Sequence, residues 1–323
     1  MRYHGVMLGI RRLGWWGWAI AATVALVACS ASKGSTLDDD DDDTTSSSSG
    51  TGGAGGLFNI GGNANGGSGA GSNCSEAAKL IYVLSDANDL YSFKPDEKVF
   101  TLVGQLGCQT AMSPNSMAVD RNAVAWVNYV DNNGLGDSAG AIYKVSTTDA
   151  SCEPAPTINL TSGWYRSGMG FSTDGVDTDN ETLFITSIGI GGSLGRIDMG
   201  SQSVVPVGNF SGQFANQSAE LTGTGDGRLY AFFTSVPVEV AEINKSNAGT
   251  ISNVPLPTVE VPNAWAFSFW GGDFYLYTAS FGDSRVNRYR PSDGTVDPNY
   301  MTNIGFRIVG AGVSTCAPLT PPR

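Results

Sequence analysis

The chain has 323 residues, is 41% hydrophobic and carries a formal net charge of −12 at pH 7. An acidic surface repels nucleic acid and anionic lipid, which argues against both as electrostatic partners. Its one histidine, His4, lies in a segment predicted below to be removed, and a chain without histidine has no Ser-His-Asp or Cys-His catalytic system and no histidine-bound zinc.

The first 28 residues have the layout of an export signal. Arg2, Arg11 and Arg12 accompany an apolar run of 13 residues from Trp15 to Val27, and no acidic residue is present. A membrane-spanning helix needs roughly 17 to 25 apolar residues, so this run predicts a removable hydrophobic region instead of a permanent anchor. Cleavage takes away three arginines and leaves a net charge near −15.

The residues at the end of this run predict a different anchor. Leu26-Val27-Ala28-Cys29 resembles the lipobox of bacterial lipoproteins. The resemblance implies cleavage before Cys29 and acyl chains such as palmitate on that cysteine, and two or more chains hold a protein stably on a membrane. An ordinary secretory signal that ends near a cysteine is the alternative. Ser30 follows the cysteine, which under the enterobacterial sorting rule favours the outer membrane of a Gram-negative cell.

Residues 29–73 form a predicted linker after the signal. They are rich in Gly, Ser, Thr and Asp and include six consecutive aspartates, Asp38 to Asp43. Such a segment buries too little apolar surface to offset the entropy of ordering. As a random coil it spans about 35 to 40 Å, which holds a domain clear of lipid head groups. We interpret the aspartates as a solvated acidic spacer, with calcium binding as the alternative.

Residues 74–323 carry a recurring unit, a small-residue strand pattern followed by an aromatic-rich one. Equivalent positions of the small-residue strands are separated by 52, 52, 45 and 45 residues and fall at Met117, Met169, Leu221, Ala266 and Ala311. Periods of this length, built from short strands without sustained helical periodicity, predict propeller blades. The predicted fold is therefore an all-β propeller of about five four-stranded blades in one domain of 250 residues.

The sequence also predicts how the ring closes. The first blade begins at Lys79 without an inner strand in front of it, and the strand-like piece 309–315 has no blade behind it. Joining the two into one blade leaves no open edge. Cys74 and Cys316 then lie near the same end of that blade, where a disulfide locks the closure.

Apart from Cys29, four cysteines remain, and in an exported protein they fit two disulfides with three possible connectivities. Ring closure favours Cys74–Cys316 and leaves Cys108–Cys152 by elimination. A strand count places Cys108 at the inter-blade end and Cys152 near a hairpin that can face the opposite way, so the second pairing stays open here. No pair has the close spacing of a redox or zinc site.

Several short segments on the C-terminal side of the lipobox resemble those of a known family. Ile81-Tyr82-Val83, Leu90-Tyr91-Ser92-Phe93 and Met117-Ala118-Val119-Asp120 resemble strands of the poorly characterised β-propeller lipoproteins of Gram-negative bacteria. The resemblance covers residues 74–323 and implies a propeller fold without implying an activity. We expect a monomeric, lipid-anchored envelope protein.

Loops that lead into the inner strands of a propeller line its central funnel. Here these loops carry amide, aromatic and charged side chains: Asn115, Trp164, Arg166, Gln217, Glu220, Asn263, Trp265 and Arg307. Aromatic faces with amide and guanidinium donors suit sugars or peptides. In the structural alternative, the tryptophans wedge between blades and the amides satisfy loop backbone groups. We predict a non-catalytic binding or scaffold module for an envelope protein or glycan.

Two other functions and one metal site are alternatives to this prediction. A carbohydrate-active hydrolase or lyase needs two funnel carboxylates, and repeat alignment finds no second acid for Glu220. An inert structural envelope protein has no ligand. No cofactor is predicted, with calcium as the alternative at the hairpin of Asp174, Asp177, Asp179 and Glu181. Those oxygens suit calcium, although the required EF-hand glycine and terminal glutamate are misplaced.

Overall fold

The computed structural model describes residues 74–323 except for 133, 135, 177, 188–191 and 323. The export signal, Cys29 and the linker to residue 73 lie outside the described residues. Two 3-10 turns, Ala77–Lys79 and Gly212–Phe214, are the helical elements of the described part. No helix there has the length and apolar character that a membrane crossing requires.

The strands form five four-stranded antiparallel sheets, which are the blades of the propeller. Blade 1 contains β1 (Ile81–Ser85), β2 (Asp89–Lys94), β3 (Val99–Gln105) and the C-terminal β20 (Ile308–Val313). Blade 2 contains β4 (Ser113–Val119), β5 (Val124–Asn132), β6 (Asp137–Ser146) and β7 (Ile158–Asn159). Blade 3 contains β8 (Ser167–Thr173), β9 (Glu181–Ser187), β10 (Ser193–Asp198) and β11 (Ser203–Asn209). Blade 4 contains β12 (Ala219–Gly223), β13 (Leu229–Phe233), β14 (Glu239–Ile243) and β15 (Thr250–Pro255). Blade 5 contains β16 (Ala264–Trp270), β17 (Asp273–Ala279), β18 (Arg285–Arg290) and β19 (Thr295–Met301).

The predicted five-bladed fold and its closure are confirmed. β20 pairs antiparallel with β1, in a register that places Ile81 opposite Val313 and Leu84 opposite Gly310. The last strand of the chain therefore supplies the inner strand of the first blade, and no radial edge is left open. A Cys74–Cys316 disulfide fixes the joined blade.

The second disulfide, Cys108–Cys152, is also confirmed. Cys108 lies on the connection from β3 to β4, and Cys152 follows β6 and pairs with Val145 as an isolated bridge. The backbone N–H of Gly107 donates to the carbonyl of Ala150 at 3.3 Å. The connection therefore runs beside the outer part of blade 2, which brings the two cysteines together.

The five inner strands β20, β4, β8, β12 and β16 contact one another around the ring axis. Their narrow spacing explains the small residues of the repeat. A Cβ at Gly168 of β8 would lie 2.1 Å from the carbonyl oxygen of Ala219 and 2.8 Å from Cα of Glu220 on β12. No side chain fits there, so glycine is required for the strands to approach this closely.

Apolar clusters fill the spaces between neighbouring blades. Between blades 1 and 5, Phe93 meets the rings of Tyr275 and Tyr277 edge-on, at centroid distances of 6.1 and 6.2 Å. Between blades 4 and 5, Tyr230 meets the ring of Phe274 edge-on at a centroid distance of 4.7 Å. The aromatic-rich second strands of the repeat thus supply the packing that holds one blade on the next.

The ring has two ends with different loops. We call the end where the inner strands begin the funnel end, which also carries the β1–β2, β5–β6, β9–β10, β13–β14 and β17–β18 hairpins. We call the other end the closure end, because the Cys74–Cys316 disulfide lies beyond the finish of β20.

Candidate functional site

A cavity of ≈ 270 Å³ opens at the funnel end. Every blade contributes to its lining, which consists of Asp86, Pro114, Asn115, Arg166, Glu220, Asn263, Ala264, Trp265, Arg307 and Val309. Six of the eight funnel residues proposed from the sequence are brought together here. Drug-sized ligands occupy pockets of about 300 to 1,000 Å³, so this cavity suits one sugar ring or one side chain.

Arg166 is held in a fixed orientation on one wall. Its Nε and Nη2 donate to the two carboxylate oxygens of Asp137, both at 2.9 Å, and its Nη1 donates to Oδ1 of Asn115 at 2.7 Å. A two-pronged arginine–carboxylate pair is stronger and more directional than a single hydrogen bond. Asp137 neutralises most of the positive charge of this guanidinium, and the hydrogen bonds fix its position on the cavity wall.

Asn115 is placed by a buried partner that the sequence analysis did not single out. Its Nδ2 donates to Oδ1 of Asn128 at 2.9 Å and to the carbonyl of Ser167 at 3.1 Å. Asn128 is 0% exposed, and its Nδ2 donates to the carbonyl of Tyr165 at 3.1 Å. The signal was an asparagine inside the apolar strand β5, because a buried amide must find partners. The network links blade 2 to the loop that enters blade 3.

Glu220 lies on the inner strand of blade 4 and is 2% exposed. Ser116 Oγ donates to its Oε2 at 2.7 Å. Burial raises the pKa of Glu220 well above its usual range, and the hydrogen bonds from Ser116 and the backbone of Met169 oppose this only partly. Burial therefore favours the neutral form of this carboxyl group.

Arg307 and Asp86 are the charged cavity residues that lack side-chain partners. The backbone N–H of Asp86 donates to the carbonyl of Arg307 at 3.0 Å, so the two lie side by side. Within the described part of the chain, neither side chain has a hydrogen bond or an ion pair. Asp86 is exposed and Arg307 is half-buried. Sequence reasoning missed Asp86 because it lies on the β1–β2 hairpin and not on a loop that enters an inner strand.

Asn263 and Trp265 form the wall on blade 5. Asn263 Nδ2 donates to the carbonyl of Ser280 at 2.8 Å, and its backbone N–H donates to Ala279 at 2.9 Å. These bonds join the β15–β16 connection to the β17–β18 hairpin. Trp265 is half-buried against the cluster between blades 4 and 5, and its buried Nε1 has no partner among the described residues.

Trp164 and Gln217 do not line the cavity. Trp164 packs on the cluster between blades 2 and 3, and a Cβ at Gly195 would lie 2.8 Å from its ring. The indole thus occupies space above a glycine of β10, as in the wedge interpretation of this residue. Gln217 is half-buried after the 3-10 turn, where its backbone N–H donates to Phe214 at 3.1 Å.

The acidic hairpin considered for calcium lies at the closure end. Asp179 pairs with the guanidinium of Arg121, and Glu181 accepts hydrogen bonds from the backbone N–H of Arg121 and from Thr315 Oγ1, both at 2.8 Å. Asp174 accepts from Thr182 Oγ1 at 2.7 Å. Asp177 lies outside the described residues.

Burial raises the pKa of Glu181 to about 7, and its hydrogen bonds with Arg121 and Thr315 oppose that shift. Arg121 thus contacts both acids, Asp179 through its guanidinium and Glu181 through its backbone N–H. No group of three metal-binding residues occurs among the described residues.

Comparison with known proteins identifies no family. Neither a protein-family model nor a curated protein matches the chain. Among solved structures, TolB from Acinetobacter baumannii is 15% identical with a TM-score of 0.40, over 68% of this chain and 51% of that one. A chain of the nidogen/laminin complex is 10% identical with a TM-score of 0.46, over 72% and 97%. The Dos1 propeller is 12% identical with a TM-score of 0.39, over 72% and 59%.

The similarity to these structures concerns the propeller fold alone, and the chain spans about half the length of the TolB structure. Proteins with this fold have many functions. The function has to be argued from the cavity itself.

Proposed function

We propose that this chain is a lipid-anchored protein of the cell envelope whose propeller binds a partner, an envelope protein or a glycan, without catalysis. The observation that carries the proposal is a cavity lined from all five blades, in which the Arg307 side chain has no neutralising partner among the described residues. A half-buried guanidinium left without hydrogen bonds gains more from a ligand than one that is already paired.

The cavity is also prepared for binding. Asp137 and Asn128 fix Arg166 and Asn115, so little side-chain freedom is left to lose when a ligand arrives. Trp265 adds an aromatic wall, and Asn115 and Asn263 add amides. This mixture suits a ligand that has both apolar and hydrogen-bonding surfaces.

Binding is tested with two probes on the full chain. One is an array of envelope glycans; the other is a photoreactive amino acid at Asn263, with the same group at Ser246 of the closure end as the control. We expect glycan binding that Arg307→Gln weakens, or a crosslinked product of defined mass from position 263 and none from 246. A blank array together with equal labelling from both positions contradicts the proposal.

The proposed envelope location follows from the sequence of the first 73 residues. Lipid on Cys29 attaches the chain to the membrane, in our proposal the outer membrane of a Gram-negative cell, and residues 29–73 act as the spacer. No nucleic acid partner and no cofactor belong to the proposal, and the propeller acts as a monomer. Cys29→Ala is expected to move the protein into the soluble fraction, with Ser30→Ala as the matched control. Continued membrane association of Cys29→Ala contradicts the lipid anchor.

A hydrolase or lyase acting on carbohydrate is the second candidate, and Asp86 is the observation in its favour. The cavity contains a buried carboxyl with a raised pKa, Glu220, and an exposed acid, Asp86. Glycosidases pair a protonated acid with an ionised one. The 2% exposure of Glu220 and its bond to Ser116 restrict contact with a substrate. Release of reducing sugar from envelope polysaccharide, abolished by Glu220→Gln and by Asp86→Asn, establishes this candidate; its absence leaves binding as the function.

A further inference from the structure

The two most exposed large hydrophobic side chains of the described residues lie at the funnel end. Phe281 is 88% exposed on the β17–β18 hairpin, and Val236 is 87% exposed on the β13–β14 hairpin. These hairpins belong to the neighbouring blades 5 and 4. Val261, 44% exposed, lies on the connection between those blades. The funnel end thus carries three apolar side chains, which we call the apolar rim.

Val261 and Phe281 of the apolar rim lie close to the cavity. Asn263, which lines the cavity, follows Val261 by two residues and donates to the carbonyl of Ser280, the residue before Phe281. Single exposed apolar residues are common on protein surfaces, whereas several beside a pocket mark an interaction site. A ligand that fills the cavity and extends toward blades 4 and 5 meets the rim.

The charges in the cavity restrict what enters it. Asp137 compensates Arg166, and Glu220 is buried and bonded to Ser116, so among the described cavity residues Arg307 is the cation available to an anion. Asp86 beside it accepts hydrogen bonds and repels a second negative group. A carboxylate with an N–H donor close by satisfies both residues, and an acidic residue of a polypeptide provides that pair of groups.

We propose that the partner is a polypeptide that places a carboxylate against Arg307 and packs apolar side chains on Phe281 and Val236. This inference rests on the proposed binding function and selects protein over glycan. The cavity of ≈ 270 Å³ holds one side chain, whereas a specific protein interface buries about 800 Å² on each partner. Most of the contact therefore lies outside the cavity, where the exposed apolar rim would lose water on binding around a charged anchor.

The test uses a phage-displayed library of random dodecapeptides as the probe. The full chain carries Cys29→Ala, which removes the proposed lipid acceptor and keeps the protein in solution. We expect selected peptides to contain Asp or Glu together with apolar residues. Their affinity, measured by fluorescence anisotropy, should fall at least about tenfold in Arg307→Gln and in the double variant Val236→Ser/Phe281→Ser, because anchor residues dominate interface energy.

Matched variants control for charge and apolar surface away from the funnel end. Arg196→Gln removes an exposed arginine of β10, and Val176→Ser removes a valine that is 74% exposed at the closure end. Both should leave peptide affinity within about twofold. All variants should keep the melting temperature of the parent, since none of the replaced side chains belongs to an apolar cluster between blades.

The remaining outcomes separate this inference from the proposed function. Glycan binding that depends on Arg307, without enrichment of any peptide, overturns the inference and leaves the binding function standing. Failure of the peptides, the glycans and the position-263 crosslink overturns both. The inference also fails if Val236→Ser/Phe281→Ser abolishes a dimer seen by light scattering, or binding to phosphatidylcholine–phosphatidylglycerol vesicles, while peptide affinity is unchanged. The apolar rim then serves a second copy or a lipid surface.

Discussion

Arg121 at the closure end and Arg307 at the funnel end have opposite surroundings. At the closure end, Arg121 donates to Asp179 and to Thr315, and its backbone N–H donates to Glu181. At the funnel end, Arg307 lines the cavity without a side-chain partner among the described residues. Paired groups that join blades contribute to stability, whereas a half-buried group left without a partner contributes little and is available to a ligand.

The same contrast holds for the connections at each end. The closure end ties three blades together through Glu181 of β9, Arg121 after β4 and Thr315 after β20, beside the Cys74–Cys316 disulfide. The funnel end combines the cavity with the apolar rim. The closure end thus joins blades 1, 2 and 3 where the ring closes, whereas the funnel end presents an accessible surface, and the variants below test that division.

Removal of the closure disulfide is expected to have the largest effect. Chain-entropy reasoning gives about 5 kcal/mol for the 242-residue separation of Cys74 and Cys316 and about 4 kcal/mol for the 44-residue separation of Cys108 and Cys152. The Cys74→Ser/Cys316→Ser variant should therefore have a lower urea midpoint than Cys108→Ser/Cys152→Ser. Equal midpoints, or the reverse order, would show that closure is not the more strongly stabilised contact.

Adding one methyl group between the inner strands is expected to have the next largest effect on stability. Gly168→Ala places a Cβ 2.1 Å from the carbonyl oxygen of Ala219, so the inner strands must separate. We expect a loss of roughly 3 kcal/mol in the free energy of unfolding, the upper range for overpacking. Gly107→Ala is the matched control, because nothing lies within 4 Å of its added Cβ. Similar melting temperatures for the two variants would contradict the packing of β8 on β12.

The sequence predictions were most successful for features that recur in every blade. Inner strands need small residues in every blade, so their spacing predicted five blades, the pairing of residues 309–315 with the first blade, and the Cys74–Cys316 disulfide. β7, in contrast, has only two residues, Ile158 and Asn159. Pro154 and Pro156 just before it lack backbone donors, and this local chemistry has no counterpart in the repeat.

The candidate site was predictable to the extent that backbone topology decides it. Loops that enter inner strands reach the funnel, which placed Asn115, Arg166 and Arg307 at the cavity. Topology does not decide where a side chain turns, and Trp164 packs between blades instead. Asp86 was missed because a hairpin of blade 1 reaches the same cavity from another part of the repeat.

Glu181, at the closure end, is expected to make the stability of the protein depend on pH. Its pKa is raised to about 7 by burial, above the value of about 4.3 in an unfolded chain. For a raised carboxyl pKa, the stability contribution is full below the unfolded value and is lost as pH rises through the folded value. Between pH 5 and 8 the wild type should lose on the order of 2 kcal/mol relative to Glu181→Gln, after allowance for partial solvent exposure.

Urea unfolding of both proteins across this pH range measures the difference. The comparison with Glu181→Gln cancels other titrating groups, such as Glu220, that both proteins share. Parallel pH profiles would mean that Glu181 titrates alike in the folded and unfolded chain.

The smallest expected effect on stability is that of replacing Arg307, and it tests whether Arg307 and Arg121 differ in role. Arg307→Gln should change the free energy of unfolding by less than about 0.5 kcal/mol, because no described side chain loses a partner. Arg121→Gln should cost about 1 to 2 kcal/mol, since Asp179 and Thr315 lose the guanidinium. If Arg307→Gln destabilises the protein as much as Arg121→Gln does, the funnel arginine stabilises the fold in the same way as Arg121. A stability-neutral Arg307→Gln that loses ligand binding assigns this arginine to recognition.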